Sequence, residues 1–337
     1  MVLSAGYFVF RLINKKLKVS TQLIVVVLYF LFVCVETIMV SGRLDEGLQK
    51  IFATPVLCFL CMLFLEKNPE GFFDVLSNIL IVVLILNTTL FHPAIFRVMV
   101  GDVGNELIMF IGHVQVAAQI ATLGLFVSYV LVLNKKRKKA YMLIFASFMT
   151  MFLSETMVSN VCMFLFIVAY IFRKKVGRVV NKINARFIFN VGCLLNILVV
   201  FMVLYKGFNF GARYYVWLSF LDIIREHWMW GYGVYGVLLK PFWFEWQTDA
   251  LGMNYAHNEL LQHILDGGIV LLVLYIILIN ILLKSAIRIK HSGTRFWSNI
   301  CLIAFMIIAI PDGVSEYNFY YIFILLLTFF PRYEKML

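Results

Sequence analysis

The sequence predicts an all-α integral membrane protein that crosses a bilayer about ten times and carries one large loop on the outer face. Three observations predict this fold class: a composition that is 63% hydrophobic and only 14% charged, a series of long apolar runs, and basic residues that are concentrated in alternate loops. A chain with a mean hydropathy of +0.92 has too little polar surface to cover a soluble globule.

Ten apolar stretches fit the length of a membrane-spanning helix. Crossing ~30 Å of hydrocarbon takes roughly 20 apolar residues, and fewer where the bilayer thins. The predicted helices cover residues 21–40, 48–65, 72–91, 107–133, 140–153, 156–172, 187–206, 258–283, 296–311 and 317–331. Residues 1–337 are interpreted as a single polytopic domain.

The basic residues predict the orientation of these helices. With the N-terminus inside, the cytoplasmic loops hold 22 of the 29 Lys and Arg residues, including "NKKRKK" and "RKKVGRVVNKINAR". Short loops rich in Lys and Arg stay in the cytoplasm, so both termini are predicted to be cytoplasmic. The net charge of +11 then belongs to loops that face lipid headgroups, and no nucleic-acid partner is expected.

The sequence shows no pattern typical of a metal site or a redox-active cysteine pair. All six cysteines fall within predicted spans, where "CFLC" at 58–61 is interpreted as small core residues. The sequence contains neither an H-E-x-x-H pattern nor a D-x-D pair. We therefore expect a metal-independent protein without a cofactor.

Residues 206–257 form the large outer loop, between the seventh and eighth helices, and a loop of this length is usually functional. Residues 213–230 show helical spacing of apolar positions, which predicts an amphipathic helix with Arg213 and Trp217 on one face. Arg213 and Arg225 depart from the positive-inside tendency, which suggests an anionic ligand such as a phosphate. Arg225 has the alternative of pairing with Asp222.

A polar cluster of His257, Asn258 and Glu259 begins the eighth predicted helix. A helix N-terminus disfavours the cationic imidazole, so His257 suits a general base. The alternative is an interfacial histidine that hydrogen-bonds a neighbour. Gly267 and Gly268 are interpreted as a place where another helix approaches closely.

The segment "GYGVYG" at 231–236 satisfies G-x-G-x-x-G. A dinucleotide site also needs a preceding strand and a following helix in a βαβ unit, and neither is predicted here. The segment is therefore interpreted as a flexible turn.

These motifs together resemble the O-antigen polymerase and O-antigen ligase family. The family pattern has an Arg and a Trp at the start of the large loop, a G-x-G turn, and then "H-N-x-x-L-Q-x-x-x-x-x-G" entering the next helix. The matching residues are Arg213, Trp217, Gly231, Gly233, His257, Asn258, Leu261, Gln262 and Gly268. An S-R-G/T motif on an earlier span is replaced here by a segment with Glu155 at the Arg position, and Arg97 or Arg43 are candidate substitutes.

The resemblance implies a glycosyltransferase at the outer face of the bacterial inner membrane that polymerises undecaprenyl-diphosphate-linked oligosaccharides into O-antigen or capsular polysaccharide. His257 would be the catalytic base and Arg213 the main diphosphate contact, with Arg225, Arg97, Asn258 and Glu259 as further substrate contacts. The aromatic residues expected to stack on sugars are Trp217, Trp228, Trp230, Trp243 and Trp246. Membrane lipid and a chain-length regulator protein are further expected partners.

Three alternatives stay open at this point. An O-antigen ligase would use the same motifs to transfer glycan to a lipid A core, and the compact chain favours the polymerase. A second class of lipid-linked glycosyltransferase uses an acidic residue in its first outer loop, where this chain has Asp45 and Glu46. A polysaccharide transporter would need ionisable residues along a midplane path, and none is clearly marked.

Overall fold

The computed structural model describes residues 21–41, 46–89, 108–109, 112–113, 116–206, 213–234 and 256–335. Nearly all of them lie in α-helices, which confirms the prediction of a helical protein. The helices are α1 Thr21–Ser41, α2 Glu46–Lys67, α3 Pro69–Thr88, α4 Val116–Leu133, α5 Arg137–Leu153, α6 Met157–Ile171, α7 Arg173–Val180, α8 Ala185–Lys206, α9 Arg213–Glu226, α10 Glu259–Leu283, α11 Ser292–Ile308 and α12 Asn318–Tyr333.

Several predicted helix boundaries are wrong by three residues or more, and two of these differences matter for the fold. The fourth helix was predicted from residue 107, but α4 begins at Val116, after a short antiparallel pair of β1 Ile108–Met109 and β2 Gly112–His113. The ninth was predicted to reach residue 311, but α11 ends at Ile308. The chain then turns before a 3₁₀ turn at Val314–Glu316, and this turning segment contributes to the site described below.

Within the described ranges, four helices are long and apolar enough to cross a membrane. They are Pro69–Thr88, Val116–Leu133, Ala185–Lys206 and α10 with its extension to Arg288. The bent pair of α6 and α7 counts as a fifth if it is one broken span, and Ile24–Val40 and Ser292–Ile308 are shorter apolar helices. The chain is thus a multi-pass membrane protein, while the number of ten spans stays a prediction.

The helices divide into two compact units. One consists of residues 1–63, 193–283 and 309–313, and the other of residues 64–192, 284–308 and 314–337. In the second unit α4 is buried along most of its length. It approaches α5 closely at Gly124, where a Cβ atom would lie 2.5 Å from the Ser147 hydroxyl. The first unit contains the residues of the candidate site.

Helix α9, which the apolar spacing predicted to be amphipathic, packs one face onto the core of the first unit. Val216, Trp217 and Phe220 are fully buried, and they join Tyr232, Leu261 and other residues in one hydrophobic cluster. The helix ends at Glu226, four residues before the predicted end. The segment 227–234 then turns back across α10.

Helix α10 is broken in the middle by Gly267 and Gly268, whose backbone angles are non-helical. The backbone of segment 228–234 fills the break, since Tyr232 N donates to Leu265 O, Gly233 N to Asp266 O, and Ile269 N to Trp228 O. The interpretation of these glycines as a contact site for another helix is therefore wrong, because a loop packs against them instead.

The turn at residues 231–233 is also more constrained than the predicted flexible turn. Gly231 and Gly233 both have positive φ, and a Cβ on Gly231 would lie 2.6 Å from Leu265 O. The Tyr232 hydroxyl donates to Ile223 O. Burial, helped by nearby Glu226, raises the pKa of Tyr232 to about 12, so the hydroxyl remains a donor into alkaline solution.

Replacing Gly268 should destabilise this junction strongly. In Gly268→Ala the new Cβ would lie 2.0 Å from Met229 O, and its φ of +65° with ψ of −167° is reached almost only by glycine. We expect a loss of roughly 3 kcal/mol or more of unfolding free energy, since backbone strain and overpacking each cost about 1–3 kcal/mol. Thermal unfolding of the detergent-solubilised protein, followed by size-exclusion fluorescence, measures this loss.

Gly177→Ala is the matched control, because the nearest atom to its Cβ would be Phe296 Cδ2 at an ordinary 3.7 Å. Equal melting temperatures for the two variants would contradict the role given to Gly268.

Candidate active site

His257 lies just outside α10, in a conformation that side chains rarely adopt. Its φ is +47°, and the helix begins two residues later at Glu259. His257 is therefore outside the helix that its cluster was predicted to begin. Histidine enters the left-handed region more readily than most residues, and such strain of about 1–3 kcal/mol is concentrated at functional sites.

Asn258 explains why the helix begins where it does. Its Oδ1 accepts hydrogen bonds from Leu260 N and Leu261 N, both at 3.0 Å, which is the arrangement of a helix N-cap. Its Nδ2 donates to Asn196 Oδ1 at 2.7 Å and to Ile310 O at 2.8 Å. Asn258 is completely buried, so the structure uses the side chain to hold other groups in place.

Residues 309–313, "AIPDG", form a loop that these bonds hold against the start of α10. Asn196 Nδ2 donates to Ala309 O at 2.8 Å, and Glu259 N donates to the same carbonyl at 3.0 Å. Together with the bond from Asn258 Nδ2 to Ile310 O, these contacts fix the short segment. We call it the AIPDG loop.

The AIPDG loop brings Asp312 to His257. Asp312 Oδ1 lies 4.0 Å from His257 Nδ1, and both side chains are buried. This distance is within the range of an ion pair but too long for a hydrogen bond. In active sites without substrate such distances are often long, and they shorten when substrate binds. A carboxylate facing Nδ1 favours the tautomer that carries its proton there, with Nε2 as the basic nitrogen.

Arg213 reaches the same loop from α9. Its Nε donates to Pro311 O at 2.9 Å, one residue before Asp312. This bond orients the guanidinium group beside the loop. The two residues predicted to be catalytic, Arg213 and His257, therefore meet at one short loop.

Trp217, one turn after Arg213 on α9, holds the residue that precedes His257. Its Nε1 donates to Ala256 O at 3.0 Å, and Gln262 Oε1 accepts from Ala256 N at 2.8 Å. Because Trp217 is completely buried, its ring faces cannot stack on a sugar in this structure. It fixes the backbone at the site instead.

The other candidate residues are placed differently. Trp230 and Trp228 are about half exposed, and Arg225 is exposed at the end of α9. No ion pair between Arg225 and Asp222 is found in the described part of the chain, so the alternative pairing does not occur there. Glu259 is completely buried, with Oε1 3.8 Å from His263 Nδ1. Several candidates lie outside the described residues: Arg43, Asp45, Arg97, Trp243 and Trp246.

Sequence reasoning missed Asp312 and Asn196. The signal for Asp312 was its place after an apolar run, in an "IPDG" turn that the predicted topology puts on the outer face, at the level of His257. Asn196 gave no such signal, because a single Asn within an apolar helix does not indicate its partner. Within the described ranges, no three His, Cys, Asp or Glu side chains are grouped to hold a metal ion.

Comparison with known families identifies the chain. The family model described as O-antigen ligase matches residues 107–276, which is half of the sequence. The chain belongs to the O-antigen ligase family. Its members are glycosyltransferase-like membrane enzymes, either ligases or polymerases, that act on lipid-linked oligosaccharides. No curated protein matches the chain at a significant level.

The family assignment agrees with the geometry of the site. The matched segment contains Arg213, Trp217, His257 and the glycines of the α10 junction, and it ends before Asp312. Each of these residues has a defined contact in the first unit. The motif that predicted the family is thus also the set of residues that shapes the loop junction and places His257.

Proposed function

We propose that the chain is a polysaccharide polymerase at the outer face of a bacterial inner membrane, which joins undecaprenyl-diphosphate-linked oligosaccharide repeat units. One observation carries this proposal: a buried His–Asp pair and an arginine that can bind phosphate contact the same short loop. Family membership supports a ligase- or polymerase-type role. The choice of polymerase over ligase is part of this proposal, and the acceptor that the protein uses tests it.

The proposed reaction is a direct glycosyl transfer. A hydroxyl oxygen of the acceptor sugar attacks the anomeric carbon of the donor, so that a new C–O bond forms while the bond to the diphosphate oxygen breaks. His257 takes the proton of the attacking hydroxyl. The electron pair of the broken bond leaves with the undecaprenyl diphosphate.

Asp312 acts on this step through His257. Its carboxylate is 4.0 Å from Nδ1, and its negative charge stabilises the imidazolium that forms when the proton is taken. Asn196 and Asn258 hold the AIPDG loop and therefore the carboxylate. We assign them positioning roles.

Arg213 stabilises the charge that grows on the departing diphosphate. A planar guanidinium can bind phosphate oxygens through two parallel hydrogen bonds, which an ammonium cannot do. Arg225 and Arg97 are further proposed diphosphate contacts, and exposed Trp230 is a proposed sugar platform. Trp217 and Glu259 are buried, and we assign them to the packing that supports the site.

The function is tested with purified protein in lipid nanodiscs and a single lipid-linked repeat unit of the host as both donor and acceptor. We expect a ladder of products that differ by one repeat unit, together with released undecaprenyl diphosphate. Absence of longer products from a folded protein would contradict polymerisation.

The family description favours one alternative, an O-antigen ligase. The two activities differ in the acceptor, which is a second lipid-linked glycan for a polymerase and a lipid A core for a ligase. Product formed only when lipid A core is added would identify the ligase and leave the site chemistry unchanged.

Replacing Asp312 should lower the transfer rate without unfolding the protein. Asp312→Asn keeps the shape of the side chain but removes the charge that stabilises the imidazolium. We expect kcat to fall by about tenfold or more, up to the ~10⁴-fold loss seen when the carboxylate of a catalytic triad is replaced. Asp312→Glu should recover part of the rate.

The matched control for this variant is Asp222→Asn, which removes an exposed carboxylate from α9. It should keep the parent rate. An unchanged kcat in Asp312→Asn would show that the carboxylate has no part in the reaction.

A further inference from the structure

The end of α6 carries a basic surface that the proposed reaction does not use. Helix α7 leaves α6 at an angle of 102°, so its axis turns sharply away from the preceding apolar helix. It contains Arg173, Lys174 and Arg178, all exposed, and Lys182 follows it. By the predicted topology this surface lies on the cytoplasmic side of the membrane.

Helix α7 is anchored in this orientation. Its buried Gly177 faces the Phe296 ring, with 3.7 Å from the position of a Cβ to Cδ2. Asn299 Nδ2 donates to Val180 O at 2.9 Å and to Ile183 O at 3.0 Å. Because the apolar side of α7 is held down, the cations are kept on its outer side.

Two cavities meet at Arg173. One, of about 560 Å³, is lined by Arg173, Lys174, Arg178 and Lys182, and none of its lining residues in the described part of the chain is acidic. The other is an apolar groove of about 750 Å³ between α4, α5, α6 and α11, where Phe148, Ile167 and Tyr170 are among the lining residues. Arg173 lines both, so the basic pocket and the apolar groove adjoin at this side chain.

This arrangement distinguishes the surface from an ordinary positive-inside loop. Topology alone requires cationic residues, and it requires neither a pocket around them nor an adjoining groove with aromatic walls. A molecule that fills both cavities needs an anionic group next to an aliphatic chain. We infer that this surface binds one anionic glycerophospholipid, with the phosphate between Arg173 and Arg178 and an acyl chain along the groove.

Native mass spectrometry of the full-length protein, titrated with phosphatidylglycerol, tests the headgroup contact. Phosphatidylcholine with the same acyl chains is the neutral comparison. Removing two charges in Arg173→Gln with Arg178→Gln should weaken phosphatidylglycerol binding by roughly 20- to 30-fold, while the parent should bind phosphatidylcholine more weakly than phosphatidylglycerol.

The matched control is Lys284→Gln with Arg288→Gln, which removes two exposed cations that line neither cavity. It should bind phosphatidylglycerol like the parent. An equal loss in both double variants would show that diffuse charge, and no site, attracts the lipid, and this would overturn the proposal.

Cross-linking of the unaltered protein tests the groove without relying on a variant. Phosphatidylglycerol with a photoreactive group in its acyl chain should label residues 141–148 and 166–171, and inorganic phosphate should not displace it. Labelling spread evenly over other helices, or displacement by inorganic phosphate, would overturn a lipid site.

Discussion

Cells that carry His257→Ala should make no visible polymer and should accumulate single repeat units on their carrier or acceptor lipid. Help from a general base is worth typically about 10²- to 10⁴-fold, and a loss of this size leaves too little activity for long chains. The side chain is buried beside Asp312. Polysaccharide gels, together with immunoblots of the membrane fraction, compare polymer length with protein amount.

His257→Gln and a second histidine make this prediction more specific. Glutamine can keep a hydrogen bond but cannot accept a proton at neutral pH, so it should also fail to make polymer. His227 is the control, since it is an exposed histidine that follows α9. The centroid of its ring lies 4.6 Å from that of the Tyr232 ring. His227→Ala should still make long chains. Loss of polymer in His227→Ala as well would indicate that the outer loop is sensitive to any change.

Arg213→Lys should also abolish most of the activity. The structure uses Nε of Arg213 to bind Pro311 O, and lysine has neither this donor nor the planar fork that matches a diphosphate. Since removing one preorganised electrostatic contact costs typically about 10²- to 10³-fold in kcat, we expect only short chains. The transfer rate of the purified variant, at saturating lipid-linked substrate, measures the loss.

Lys206→Gln is the control for charge on the same predicted face. Lys206 ends α8, is exposed, and lies over the Tyr205 ring. It should keep the parent rate. Near-normal polymer in Arg213→Lys would mean that Arg213 is an anchor at the membrane interface and has no diphosphate contact.

Arg213 and His257 could be predicted as candidates because each residue type is unusual for its local sequence context. Arg213 stands in an outer loop that should be poor in basic residues, and His257 stands where an apolar helix begins. Both signals need only the neighbouring residues and the predicted topology. The amphipathic α9 could be predicted for the same reason, since its buried face follows helical spacing.

The partners of these residues could not be predicted, because they depend on contacts between distant segments. His257 and Asp312 are 55 positions apart, and the AIPDG loop is fixed by Asn196 from a third segment. The break at Gly267 and Gly268 was misread for a related reason. A glycine pair fits a close helix contact and a broken helix equally well, and only the segment that fills the gap decides between them.

The burial of Trp217 shows the same limit. Its position beside Arg213 on one helix face was predicted, but the sequence cannot tell whether that face meets substrate or the protein core. Its bond to Ala256 O shows that it supports His257 from inside. The exposed Trp228 and Trp230, which have the same side chain, lie beyond the end of the helix.

The central claim is that His257 accepts the proton of the acceptor hydroxyl, and the single-turnover rate of glycosyl transfer tests it most directly. The measurement uses the purified parent and His257→Gln in nanodiscs with one lipid-linked repeat unit. We expect the Gln variant to bind substrate with similar affinity and to transfer it about 10²- to 10⁴-fold more slowly. A Gln variant that transfers at the parent rate would contradict the claim, and the base would then be sought among Glu259, Asp249 and Asp45.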